Sequence, residues 1–302
     1  MINDMKTHLF VWSMALVMSL AMYGCKDSNG NNPEDPTQES SNAKLISQQG
    51  MNYEIEMSNG TRLYFRKTQD NTDTPYYFSL ISAGKFYKGH SQEAELAKKY
   101  AYIGALTIPA SVKIDMGGGK HETYSVEGIW DYGCADMGNL SGVSIPNTVR
   151  TIGEGAFSNC SALEAIEIPE GVTELYDWTF YQCTSLKQIK LPESLTLLYA
   201  ISNCPSLEAI DLPSHLKGMK IQNCPLLKKL SIPQTVEFVT NFDGCSALKE
   251  VKCYAVEPPS TYDWSGRDMT IKFTLYVPKG SISKYQADEL WNDCATQILP
   301  LE

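Results

Sequence analysis

The sequence predicts a β-dominated α/β repeat fold: a solenoid of about seven coils with a parallel sheet, preceded by a small β-rich module. Three observations predict it. A cysteine recurs at positions 160, 183, 204, 224 and 245, at spacings of 23, 21, 20 and 21 residues. Each of these cysteines stands three residues before a leucine: Leu163, Leu186, Leu207, Leu227 and Leu248. After the leucine, apolar and polar residues alternate, and the runs close on Pro169, Pro192, Pro213 and Pro233.

Each part of a coil has a physical reason. Leu163, Ile166 and Ile168, with Leu186, Ile189, Leu191 and Leu207, Ile210, Leu212 after them, alternate with Glu167, Lys190 and Asp211. A period of two means a short strand with one face inward. Proline has no N–H and stops the ladder at the same place in each coil, so the chain turns there. Val172 and Leu175, then Phe157, Phe180, Ile201, Ile221 and Phe242, supply an opposite wall. The spacings fall in the leucine-rich repeat range. A degenerate earlier copy keeps the register with Ile129, Leu140, Val143, Ile145 and Pro146, and Met137 takes the cysteine's place. Leu106-Thr107-Ile108-Pro109 hints at one more, followed by the excursion VKIDMGGGKHETYSV.

The chain divides by composition into four parts. Residues 1–24 read as a signal peptide: Lys6 precedes an apolar stretch from Leu9 to Met22, too short to span a bilayer comfortably. Residues 25–43, with no aliphatic side chain larger than alanine, read as a disordered tether of roughly 23 Å reach. Residues 44–104 read as an N-terminal β-rich capping module. Tyr53, Ile55 and Met57 alternate toward an Asn59-Gly60 turn, and Leu63 and Phe65 alternate back. A further strand is expected from Tyr76 to Ile81, and a short helix from Glu93 to Tyr100. Residues 105–302 read as the leucine-rich repeat solenoid with a C-terminal cap: a strand, a Pro-Lys-Gly turn, and a helix from Ser281 to Asn292 that turns Ile282, Tyr285 and Leu290 or Trp291 inward.

Two resemblances add to this reading. The unit I-G-x-x-A-F-x-x-C-x-x-L-x-x-I-x-I-P at residues 152–169, with the closing segments CYAVEPPS and LYVPKGSISKYQ, resembles the BspA-type leucine-rich repeat proteins of Bacteroides and related bacteria. The likeness covers about residues 105–302, and the hairpin around Gly117-Gly118-Gly119 is also similar to that family. It implies surface display and, for a few members, adhesion to host matrix proteins. Met22-Tyr23-Gly24-Cys25 resembles a bacterial lipobox, which implies acylation of Cys25. The expected location is therefore the outer membrane, by lipid anchor, at the cell surface.

The chemistry-bearing residues point to binding, not to catalysis. Cys160, Cys183, Cys204, Cys224 and Cys245 share one repeat position, where the family usually has asparagine or cysteine. Parallel neighbours one strand spacing apart lie too far from each other for a disulfide, so a structural column of buried free thiols is expected. Outside the column Cys253–Cys294 is the one bridge to consider. His90, His121 and His215 are scattered and no metal site is expected, nor any cofactor. Gly117-Gly118-Gly119-Lys120 lacks the phosphate-loop frame and reads as a hairpin tip. No nucleophile elbow or zinc-protease motif is present. With a net charge of −10 and no basic stripe, nucleic acid is excluded as an expected partner.

Outward positions form charge columns: Glu167, Lys190, Asp211, Ser231, Lys252, and Glu164, Lys187, Glu208, Lys228, Lys249. Alternating signs on neighbouring strands explain most of them. Lys228, Lys229, Lys249 and Lys252 gather without matching acids and are candidate ligand-binding residues, as are Trp178 and Tyr181 among the loop aromatics, Tyr199 being of the same kind. The resulting expectation is a surface-anchored binding or adhesion protein that recognises a host matrix protein or a polysaccharide through the solenoid face and is no enzyme. The alternative is a structural or scaffold lipoprotein that assembles with other envelope proteins.

Overall fold

A computed structural model describes residues 40–58, 61–68, 77–82, 104–240, 242–262 and 271–302. The signal-peptide segment, Cys25, most of the tether, the Asn59-Gly60 pair and the helix expected at Glu93 to Tyr100 lie outside the described residues.

The N-terminal strands are β1 (Ser40–Gln49), β2 (Asn52–Met57), β3 (Arg62–Thr68) and β4 (Tyr77–Ser82). β2 and β3 pair antiparallel with Ile55 opposite Leu63 and Tyr53 opposite Phe65, so the alternating residues share one buried face. β5 (Gly104–Thr107) then leaves for the solenoid, and β6 (Ser111–Gly117) and β7 (Lys120–Ile129) return as a hairpin. In the sheet order β4-β3-β2-β1-β6-β7, β4 also pairs with β7, so the six strands close into a barrel. Tyr53, Ile55, Leu63, Phe65, Val112, Ile114, Tyr124 and Val126 are buried in its core.

Two expected boundaries are corrected by this closure. Residues 112–126, read as an excursion of the solenoid, lie in the β6–β7 hairpin that completes the barrel, and without that hairpin β1 and β4 would each keep an open edge. Residues 40–43, assigned to the tether, pair in parallel with β6 from Ser40↔Ser111 to Ala43↔Ile114. Main-chain pairing needs no apolar side chain, which is why polar composition concealed this strand. Beyond Ser125, β7 turns from β6 to β9 (Thr151–Ile152), with Ile129 opposite Ile152. Barrel and solenoid thus share a strand and a continuous apolar core.

Each coil of the solenoid has a front and a rear wall. At the front, β5 pairs with β8 (Leu140–Ser144), then β10 (Ala165–Glu167), whose rear counterpart is β11 (Glu174–Leu175), and then β12 (Gln188–Lys190). At the rear, β11 pairs with β13 (Leu197–Ser202), β14 (Gly218–Gln222), β16 (Phe238–Thr240) and β18 (Ser260–Tyr262). A second front sheet joins β15 (Lys229–Ile232), β17 (Glu250–Cys253), β19 (Phe273–Val277) and β20 (Ala295–Pro300). All of these solenoid ladders are parallel.

The front ladder is therefore split, which the periodicity did not foreshadow. Between β12 and β15 the segment 208–212 makes no main-chain hydrogen bond to either neighbour. A slit of about 410 Å³ opens between Gln188–Leu191 and Ala209–Pro213. The split falls where the coils shorten. The coil from Cys160 to Cys183 has 23 residues and crosses the rear through a turn at 177–182, whereas the next has 21 and crosses through β13. Leu207 and Ile210 still face the core, at 0% and 8% exposure, so apolar contact seats the segment where the ladder does not.

The C-terminal cap replaces the one helix expected with a 3-10 turn (Lys279–Ser281) and two short helices, α1 (Ile282–Ala287) and α2 (Glu289–Cys294). Asp288 breaks the helix, and its carboxylate accepts from the Leu290 and Trp291 N–H groups at 3.1 and 3.0 Å, an N-cap for α2. Trp291, not Leu290, turns inward. Its indole N–H donates to the Pro259 carbonyl at 2.9 Å, and its ring meets Tyr285 edge-on at 5.6 Å.

The split makes a direct prediction. Amide hydrogens of 208–212 should exchange within the intrinsic range, while those of β12 and β15 are strongly protected, as read by peptide-resolved deuterium uptake. Equal protection across the three segments would mean a continuous front sheet.

Candidate recognition surfaces

The rear corner of each coil is set by backbone geometry. The residue before each column cysteine has a positive φ: Asn159 59°, Gln182 56°, Asn203 58°, Asn223 53° and Gly244 72°, with Asp136 at 61° before Met137. Asparagine, aspartate and glycine tolerate the left-handed region best, so the Asn-Cys and Gly-Cys pairs are a turn signature. At Gly244 a Cβ would stand 2.2 Å from Asn223 Oδ1. The sequence carried this signal beside the cysteines, and attention to the cysteines alone passes over it. From Asn159 to Gly244 the five residues before the column cysteines line an open groove of about 670 Å³ with Ser161, Thr184, Pro205 and Pro225.

Cys160, Cys183, Cys204, Cys224 and Cys245 are free and fully buried behind that corner. The Cys160, Cys183 and Cys204 thiols donate to the carbonyls of Cys134, Phe157 and Phe180 in the preceding coil, at 3.0, 3.1 and 3.1 Å. Each thiol is at once an apolar filler and a donor between coils. Cys134, Cys253 and Cys294 are also free and buried, and the Tyr285 hydroxyl lies 3.2 Å from Cys253 Sγ. Burial pushes the Cys134 and Cys294 thiols up to about 12 and raises Cys160, Cys183 and Cys253. Cys224 is pushed up to about 12, first by its hydrogen bond with Cys204, and Cys245 is raised, first by its hydrogen bond with Cys224. Such thiols hold their protons at neutral pH and are poor nucleophiles.

The front face is a ladder of exposed ion pairs. Glu164 holds Lys187 at 3.0 Å, and Glu167 holds Lys190. The expectation that four lysines gather without acids is corrected for two of them. Lys228 reaches Glu208 at 3.2 Å, back across one coil, and Lys229 reaches Glu250 at 3.0 Å, forward across one. The second column already set Glu208 beside Lys228, whereas Glu250, in register with Lys229, lies one position off both columns. Lys249 and Lys252 make no ion pair among the described residues. Exposed pairs of this kind contribute about 0–1 kcal/mol each, so the ladder organises charge more than it adds stability.

Aromatic rings collect on the rear. Trp130, Tyr176 and Trp178 are 39%, 48% and 49% exposed, and Tyr132, Tyr181 and Tyr199 are half-buried. Trp178 has φ 61° at the coil position that Gly155 fills at 59° and Tyr132 at 56°. A bulky side chain held there carries backbone strain. The Tyr132 ring lies over Gly155, where a Cβ would come within 2.3 Å of it, and its hydroxyl donates to Glu154 at 3.0 Å. Farther along, Tyr199 and Phe238 stack across Gly218 with centroids 6.5 Å apart, and a Cβ on that glycine would strike the Phe238 ring at 2.1 Å. Trp178 and Tyr181 thus stand on the rear turn, away from Lys249 and Lys252 at the front. The expected binding residues divide between two faces.

Residues 127–249 match, in 6 copies, the family model described as BspA type Leucine rich repeat region. The coils form a leucine-rich repeat solenoid. A leucine-rich repeat protein of T. pallidum is 29% identical over 49% of this chain and 71% of its own, with a TM-score of 0.42. A leucine rich cell surface protein of Faecalibacterium prausnitzii is 19% identical over 78% of this chain and 73% of its own, at a TM-score of 0.43. A leucine-rich repeat protein of Bacteroides ovatus is 18% identical over 78% and 75%, at 0.41. No curated protein matches. Among the described residues no group of three or more His, Cys, Asp and Glu converges as a metal site would require.

Two outcomes follow for the leucine-rich repeat coils. The Cys134 and Cys294 thiol pKa values are raised above the ordinary 9.0, so the folded chain binds these protons more tightly than the unfolded chain does. Their contribution is complete below pH 9 and declines as pH rises toward 12; the melting temperature should fall over that window, and less in a Cys134→Ala, Cys294→Ala variant. Trp178→Gly and Trp178→Ala both remove the indole and differ in tolerance of positive φ. Urea denaturation should find the glycine variant more stable by about 1 kcal/mol.

Proposed function

We propose that this chain is a surface-anchored binding protein of the bacterial envelope, lipid-anchored through Cys25 to the outer membrane, that recognises a protein or a polysaccharide through its solenoid without catalysis. One observation carries the reading: the solenoid is held together by buried contacts and keeps its thiols buried, while its exposed side chains are ordered charges and half-exposed rings. Stacked repeats offer extended surfaces of this kind, and a partner gains from side chains that need little further ordering. A host matrix protein or polysaccharide is the partner class implied by the resemblance to the BspA-type proteins.

The test is an array of matrix proteins and polysaccharides probed with the full chain at low and raised salt. A Lys249→Ala, Lys252→Ala variant tests the front face, since these two lysines lack the carboxylates that hold Lys228 and Lys229. A salt-sensitive ligand lost or weakened in that variant places recognition on the front of the C-terminal coils. A ligand retained by it moves recognition to another face, and silence across the array counts against a binding role altogether. Radiolabelled palmitate incorporated by the wild type and not by Cys25→Ala is the expected result for the anchor.

A further inference from the structure

The rear of the solenoid differs from the front in how its charges are matched. At the front, Glu164, Glu167, Glu208 and Glu250 each hold a lysine. At the rear, Asp131, Glu154 and Glu174 are engaged only by neutral donors. Asp131 accepts from the Glu154 N–H at 2.9 Å, Glu154 from the Tyr132 hydroxyl at 3.0 Å, and Glu174 from the Tyr176 hydroxyl at 2.6 Å. Among the described residues none of the three meets a cation, whereas Asp177 beside them holds Lys220 at 2.8 Å. The charges lie about the exposed rings. The Tyr176 phenol is raised first by its hydrogen bond to Glu174, then by burial and by the charges of Glu174 and Asp131, so two of these carboxylates act on one ring.

Trp130 and Tyr176 occupy the same position of the coil two coils apart, and Gly153 stands between them, where Asp131 leaves no room for a Cβ. Two coil spacings separate the rings by roughly 9.6 Å. At the Trp130 end the chain supplies its own cation, with the Arg66 guanidinium 5.1 Å from the ring centroid. Trp178 makes no ring contact or ion pair among the described residues, although its strained backbone holds it half-exposed.

Resting on the reading that the chain is a binding protein, we infer that the rear shelf of Tyr176 and Trp178 is a docking surface for a basic, arginine- or lysine-bearing segment of a partner protein. The charge pattern selects this occupant. Half-exposed rings present their negative faces, and uncompensated carboxylates around them add to the same potential, so the complement is a cation that can lie flat on an indole. A neutral glycan would leave those charges unanswered, and a second copy of a chain with net charge −10 would be repelled.

The probe is a fluorescein-labelled octa-arginine peptide titrated into the full chain, beside its citrulline counterpart, which keeps shape and loses charge. Neutral gluco- and manno-oligosaccharides are run in parallel. Binding to octa-arginine should weaken roughly tenfold in Trp178→Gly and Tyr176→Ala and severalfold in Glu174→Gln, and stay unchanged in Glu164→Gln on the front. The citrulline peptide should bind at least roughly tenfold more weakly. Trp178→Gly relieves backbone strain, so its loss of binding cannot come from failure to fold, and circular dichroism checks this in each variant. Absence of octa-arginine binding, equal affinity for the citrulline peptide, or equal weakening in Glu164→Gln would each overturn the assignment. So would an oligosaccharide, or self-association in sedimentation, that depends on Trp178. These failures leave the array result untouched, so the docking surface can fail while the binding role stands.

Discussion

Every coil of this protein leaves its apolar interior open on one side until the next coil is laid against it. That constraint governs the rest of the structure. Stacking buries Phe157 against Phe180, their rings parallel with centroids 5.8 Å apart, and aligns the strands at a spacing of about 4.8 Å. It also brings the turn of each coil over the previous one, where a thiol closes on a carbonyl and a left-handed residue fits the corner. A bulkier filler at the thiol would overpack that corner, and a side chain at Gly244 would collide with Asn223.

A stack has two ends, and each is closed by a different device. At the C-terminal end, β20 adds a last strand beside β19 while Tyr285 and Trp291, both fully buried, cover the apolar interior. At the N-terminal end β7 serves two structures along its length, closing the barrel with β4 and then starting the rear ladder with β9. The barrel also leaves no strand of its ring with an unpaired edge, while β5 remains the end strand of the front sheet.

Repetition also orders the surface. Any side chain that points outward is repeated coil by coil, so charge is arranged in columns and its compensation becomes a property of each wall. Four glutamates of the front hold lysines, while the rear keeps carboxylates beside half-exposed rings. Unmatched charges, Lys249 and Lys252 at the front and the carboxylates at the rear, are what each wall offers a partner.

Much of this was legible in the sequence. The cysteine period, the alternation after each leucine and the closing prolines state local rules, and local rules survive without knowledge of distant partners. They determined the solenoid, its inward residues and the position of the cap. Which of Leu290 and Trp291 turned inward depended on the break at Asp288, which caps the amides of both. Tertiary structure alone decided the rest. The barrel depends on the 111–129 hairpin returning to strands tens of residues earlier, and polar Ser40 to Ala43 joined it through main-chain bonds that composition does not record. The front sheet splits where the coil length changes, and the pairing of Lys229 with Glu250 follows from the register between strands. Periodicity says which way a side chain points; what stands opposite is settled only when the coils are stacked.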